Sequence, residues 1–198
     1  MKKIIVLILA IACLFAMVSC GETETPAGDT ATVDTFISAL NATNPDKADI
    51  KVELVSTLGT LNATYNVIYA EGGSAAVNYS REYFLEVGEG NTLTKDTVSG
   101  TVAVSADGKF SDTEALGGQG AIVNAKITLD KDKMTYTVDG SVLTARITQA
   151  NTQSVLGVSI EADVVLTITV ANGTVSAFSL NYEIGGARIN ASCNYIYN

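Results

Sequence analysis

Few side chains in this 198-residue chain could carry chemistry, and their spacing argues against catalysis. Histidine is absent, which removes the commonest general base and metal ligand at neutral pH. Glu161 and Asp163 are a pair of carboxylates, but they fall on the polar side of an alternating run beside threonines, where ordinary solvation accounts for them. Asp130-Lys131-Asp132 lacks the spaced oxygen ligands and closing glutamate of a calcium loop, and reads as a solvated turn. Gly117-Gly118-Gln119-Gly120 lacks the Lys-Ser/Thr that completes a phosphate loop. No G-x-S-x-G elbow and no Cys/His metal set occurs. The reading is therefore of a protein that is not an enzyme, with no catalytic residue, metal or cofactor. Three cysteines, eight tyrosines and Arg81 remain to be placed.

The first of these placements concerns the N-terminus. Lys2 and Lys3 precede an apolar run from Ile4 to Val18, and Ser19-Cys20 follows as a small-residue cleavage site. That run is too short and too lightly flanked for a spanning helix. The segment resembles a bacterial lipoprotein signal, with Met17-Val18-Ser19-Cys20 at the lipobox. The resemblance implies cleavage after residue 19 and a diacylglyceryl group on Cys20, held in the membrane by about 0.8 kcal/mol per buried CH₂. An ordinary secretory peptide with an incidental cysteine is the alternative. Both place the rest of the chain outside the cytoplasm, and the first makes it a lipid-anchored envelope protein.

Residues 1–19 are thus read as the signal, 20–31 as a lipidated N-terminus and polar tether, and 32–198 as a single antiparallel β-domain. The tether GETETPAGDTA could reach on the order of 35 Å when extended. Two of the 12 basic residues and none of the 21 acidic ones lie in the signal, so the remainder carries 10 basic against 21 acidic, a formal charge of −11. Such a surface excludes nucleic acid as a partner and gives no electrostatic attraction to anionic membrane. Once Cys13 leaves with the signal and Cys20 is lipidated, Cys193 stands alone as a small apolar side chain, with no histidine to make it a nucleophile.

Val33, Phe36, Ile37 and Leu40 fall at i, i+3, i+4 and i+7 and predict one helix, with Thr32 as N-cap and Asn44-Pro45 as its stop. From Lys47 the period becomes 2 and stays there. Strands are expected around Ile50–Leu54, Leu61–Tyr69, Val77–Val87, Val98–Val104, Ala121–Leu129, Met134–Val138, Leu143–Ile147, Ile160–Val170, Phe178–Ile184 and Ala187–Tyr197. Glu71-Gly72-Gly73, Asp139-Gly140, Asn172-Gly173 and Gly185-Gly186 supply tight turns between them. Ten strands at about 4.8 Å spacing make an apolar face about 48 Å across, which an eleven-residue helix about 16 Å long cannot cover. The fold class expected is mainly β, a strongly curved antiparallel sheet (half-barrel or barrel) wrapping its N-terminal helix.

Parity places all eight tyrosines on the apolar side. An apolar ring with a polar tip suits the wall of a cavity for an amphipathic ligand, and equally the rim of an ordinary core. The candidate cavity lining is Phe36, Ile37, Leu40, Tyr65, Tyr69, Tyr79, Tyr83, Tyr136, Tyr182 and Tyr195. Arg81 falls on the same face between Tyr79 and Tyr83, either at a mouth to meet an anionic headgroup or turned outward by a bulge; the outward placement is the expectation. Asn151–Val158 is a candidate lid with Val155 and Leu156 inward and Gly157 ending it, or a plain crossover loop.

A helix followed by such a sheet resembles the LolA and LppX/LprG-like lipoprotein carriers across Thr32–Asn198, in architecture rather than in any residue motif. The resemblance implies a curved sheet whose concave side holds acyl chains. Two functions follow: a binding module for a hydrophobic or amphipathic ligand, or a surface scaffold with a packed core that meets another envelope protein. A carboxylate hydrolase is a distant third.

Overall fold

The computed structural model describes residues 32–87, 92–117, 119–123 and 126–197. The signal, Cys20 and the tether lie outside the described residues.

Where the period is 3.6 the chain forms α1 (Val33–Ala42), which buries Val33, Phe36 and Ala39 and leaves Asp34 exposed in its first turn. Thr32 occupies the N-cap position with extended backbone, but its hydroxyl makes no capping bond. The other end is fastened by Thr43. Its Oγ1 donates to Ala39 O at 2.7 Å and accepts from Val175 N–H at 3.0 Å, tying the helix to the sheet.

Where the period is 2 the chain forms β1 (Lys47–Ser56), β2 (Gly59–Tyr69), β3 (Ala75–Val87), β4 (Thr92–Val104), β5 (Met134–Asp139), β6 (Val142–Ile147), β7 (Val164–Ala171), β8 (Thr174–Ile184) and β9 (Ala187–Ile196). All nine join one antiparallel sheet in the order β4-β3-β2-β1-β9-β8-β7-β6-β5. The first and last strands lie side by side in the middle, and β4 and β5 are its two edges, so the sheet is open. Two-residue turns at Asn172-Gly173 (φ 54° and 79°) and Gly185-Gly186 (φ 58° and 79°) have the positive φ that matches hairpin twist. A bulge at Ser176 breaks the β7–β8 register and brings both Val175 and Phe178 inward.

The edge positions of β4 and β5 decide what covers the apolar face. Nine strands at about 4.8 Å put the edges about 38 Å apart, so residues 105–133 must travel from one to the other. That segment lays Leu116, Ile122, Val123 and Leu129, all buried, onto the sheet. It contains a 3₁₀ turn at Glu114–Leu116 and a single helical turn, α2 (Gly120–Val123). Of residues 121–129, expected as a strand, the described ones are not part of the sheet. Ile122 and Val123 are both buried in a helical turn, and only 126–129 keep an alternation, with Lys126 and Thr128 exposed and Leu129 buried. Ile160 and Ala162, expected to open β7, precede it in irregular chain.

The short α3 (Thr152–Leu156) meets this layer, with Leu156 O accepting from Lys126 N–H at 3.0 Å and Val155 O from Thr128 N–H at 2.7 Å. α1 lies over β7 and β8, and Lys131 Nζ bonds Asp34 at its N-terminus at 2.7 Å. The sheet is thus covered by two pieces rather than wrapped on a single helix. Among the described residues no helix is long and apolar enough to cross a membrane.

Replacing Thr43 by Val strands the Val175 amide and frees the end of α1. The variant should lose about 1–3 kcal/mol of stability, read from the midpoint of urea unfolding; an unchanged midpoint would show that the tie is not made.

Candidate functional site

On the apolar face the antiparallel register arranges side chains in rows that cross the strands. One row holds Gly100, Tyr79, Tyr65, Ile50, Cys193 and Phe178; the row beside it holds Val102, Val77, Val67, Ala48 and Tyr195. Small residues recur in the middle of these rows, and the covering layer does not fill the space above them. A cavity of about 230 Å³ remains. Its floor is Ile50, Val67, Val77, Val104, Cys193 and Phe178, and Phe110 and Val123 come down on it from the covering segment. Tyr69, Tyr195, Gly73 and Lys126 line both this cavity and an open vestibule of about 600 Å³, to which Leu40 and Pro45 also contribute. The arrangement is an apolar floor behind a mouth lined by two tyrosines and a lysine, the form expected of a site for an amphipathic molecule.

Burial sets the titration behaviour of the wall. It pushes the Tyr69 hydroxyl up to about 12, with Cys193 and Tyr197 adding to the effect, and raises Tyr195 still further. The Cys193 thiol rises to about 12, first by burial and then by the nearby Asp49 carboxylate. It is a packing and lining group rather than a nucleophile. Phe178 and Tyr195 meet ring to ring at 5.9 Å and 54°.

A second cluster sits further along β3. Arg81 is buried at 7 % exposure, facing the apolar side, with no bulge at that point of β3. This corrects the outward expectation. Its guanidinium lies 5.5 Å from the ring centres of both Tyr79 and Tyr83, and Nη1 donates to the Tyr83 hydroxyl at 2.6 Å. Flanking aromatic faces make the inward placement tolerable without supplying a counter-charge. Tyr65, fully buried, donates its hydroxyl to Leu116 O at 3.1 Å; burial raises its pKa to about 12, against the pull of Arg81.

The candidate lining residues therefore separate into four groups. Tyr69 and Tyr195 stand at the cavity mouth, and Leu40 at the vestibule. Tyr65, Tyr79 and Tyr83 surround Arg81. Phe36 is buried and Ile37 half-buried in the helix packing, outside the lining of both the cavity and the vestibule. Tyr136 is 40 % exposed on the edge strand β5, and Tyr182 is half-buried on β8 outside both groups. Val155 and Leu156 are fully buried in the core, and Gly157 ends α3 with φ 73°. Phe110, Val123 and Lys126 were not legible as lining, because nothing local shows that residues 105–126 recross the sheet. Glu161 and Asp163 are exposed ahead of β7, where Asp163 accepts from Gln149 N–H at 3.0 Å. Among the described residues no group of three or more His, Cys, Asp or Glu is placed to hold a metal.

No family model and no curated protein matches the sequence. Among solved structures the chain is similar to LprF from Mycobacterium bovis, at 12 % identity and TM-score 0.38, over 84 % of this chain and 94 % of that one. It is also similar to a porin-like protein from Bacteroides uniformis, at 10 % identity and TM-score 0.25, over 79 % and 98 %. At such scores neither likeness bears on function, and the site is argued from its own geometry.

Tyr65 and Tyr69 hold their protons to about 12 when folded but to 10.0 when unfolded. Above pH 10 the unfolded chain therefore binds fewer protons, and stability falls as pH rises toward 12. Urea midpoints measured across that range should decline, and the phenolates of Tyr65 and Tyr69 should form only together with unfolding. Free titration of all eight tyrosines in the native protein would contradict the burial.

Proposed function

We propose that this chain is a lipid-anchored envelope lipoprotein whose β-domain binds a hydrophobic or amphipathic, lipid-like molecule without making or breaking bonds. The cavity of about 230 Å³ carries the reading, since it joins an apolar floor to a phenol- and lysine-lined mouth. A packed structural domain gains nothing from such a void, and its lining forfeits the dispersion contacts that a filled core would make. The volume lies below the roughly 300–1,000 Å³ usual for drug-sized ligands, and so suits one slender chain rather than a bulky multi-chain lipid. In this reading Tyr69 and Tyr195 are the gateposts. Residues 105–126 and α3, with Val155 and Leu156 anchoring it, are the lid.

One observation favours a second reading. The space between α1 and the sheet is filled by Phe36 and Ala39, which suits a surface scaffold with a packed core meeting another envelope protein across its Thr/Asn/Ser face.

Two experiments separate the parts of this proposal. Cys20→Ser should abolish incorporation of radiolabelled palmitate and move the protein from the membrane to the soluble fraction; continued labelling would place the lipid elsewhere. Cys193→Leu enlarges a side chain in the cavity floor and should weaken binding of a fluorescent single-chain fatty acid by roughly tenfold, or about 1.4 kcal/mol. Equal binding by both proteins would place the ligand outside this cavity, and no binding by either would leave the scaffold reading.

A further inference from the structure

Arg81 has an unmet electrostatic need. A guanidinium offers five N–H donors and a full charge, and burying it without a counter-ion carries a penalty of several kcal/mol. Among the described residues Nη1 finds only the neutral Tyr83 hydroxyl, and Nε is buried with no partner. Two acids lie on elements around it. Asp96 faces Tyr83 across the β3–β4 register but is exposed and forms no ion pair with Arg81, and Glu114 is exposed on the covering turn. Nor does Arg81 owe its place to packing alone, for its surroundings are shaped to receive it. A Cβ at Gly117, where φ is 59°, would come within 1.9 Å of Nη1, and a Cβ at Gly100 within 2.7 Å of the Tyr79 hydroxyl. Two positions without side chains therefore give room to the guanidinium and to one of the rings flanking it.

We propose that this cradle recognises an anionic oxygen group, a carboxylate or phosphate, carried by the amphiphile that occupies the cavity. The inference rests on the ligand reading above and names the headgroup class. Val77 in the cavity floor is four residues from Arg81 on β3, about 13 Å along the strand. A chain of about eight carbons is of the length needed to cover that distance. The Glu114–Gly117 turn lies over Nη1 of the guanidinium, and in this proposal it moves aside to admit the oxygens. A planar fork with two donors on one edge fits either group by paired hydrogen bonds.

The test uses the full chain in nanodiscs, with empty nanodiscs as the blank, and compares octanoate, octanol and inorganic phosphate. Affinity and the Arg81 Nε–H NMR resonance are both followed. Octanoate should bind at least tenfold more tightly than octanol and shift the Nε–H resonance. Arg81→Met should erase that preference while leaving octanol binding unchanged, and Arg81→Lys should retain part of it. Should Arg81→Met fail to fold, the resonance in the unaltered protein and the Arg81→Lys affinities still decide the matter. Equal affinities for octanoate and octanol with a stationary Nε–H signal would overturn the headgroup assignment yet leave the cavity reading intact. Absence of octanol binding would instead remove the cavity reading. A shift with phosphate but not with octanoate would show a free-anion site and overturn the amphiphile.

Discussion

The pairing of β1 with β9 governs the rest of the molecule. It sets the chain's first and last strands side by side at the centre of the sheet and so exiles β4 and β5, which are consecutive in sequence, to opposite edges. A tight turn cannot join them. The connection has to recross the whole apolar face, and that recrossing supplies the second layer which the short helix cannot provide alone. Because both halves of the sheet meet at β9, pairing across the middle is among the most sequence-distant contacts in the protein, and such contacts are costly in loop entropy.

A cover built in two pieces meets the sheet unevenly. α1 seats Phe36 and Ala39, both buried, over β7 and β8, and only its C-terminal end, at Leu40, borders the vestibule. The irregular segment from 105 to 133 spaces its large apolar side chains more sparsely along the chain, and the cavity lies beneath it. The hollow in this chain is thus a by-product of how the face is covered. The same segment carries Gly117 over Arg81, so the loosely packed half of the molecule holds both the void and the unsatisfied charge.

Arg81 shows how far local pattern can mislead. Its parity on β3 is inward, but the cost of burying an unpaired guanidinium argues for the opposite orientation, and only the bracketing by Tyr79 and Tyr83 reverses that judgement. Those tyrosines were visible as its neighbours at i−2 and i+2. The glycines that make room for this cluster come from β4 and from the covering turn, and neither position has any local mark of its role.

The amino-acid order by itself determined the helix from Val33, the alternation of most of the strands, the hairpin turns at Asn172-Gly173 and Gly185-Gly186, and the inward side of Tyr65, Tyr69 and Tyr195. These follow from backbone period and turn sterics, which act over a few residues. Tertiary structure alone decided that residues 126–129 lie outside the sheet, that Phe36 and Ile37 pack between α1 and the sheet, and that Phe110, Val123 and Lys126 line the cavity. An alternating run reports only that one side is buried. Whether it is buried as a strand within the sheet or as a segment lying across it depends on which edges are already occupied, and that is settled by pairing between the two ends of the chain.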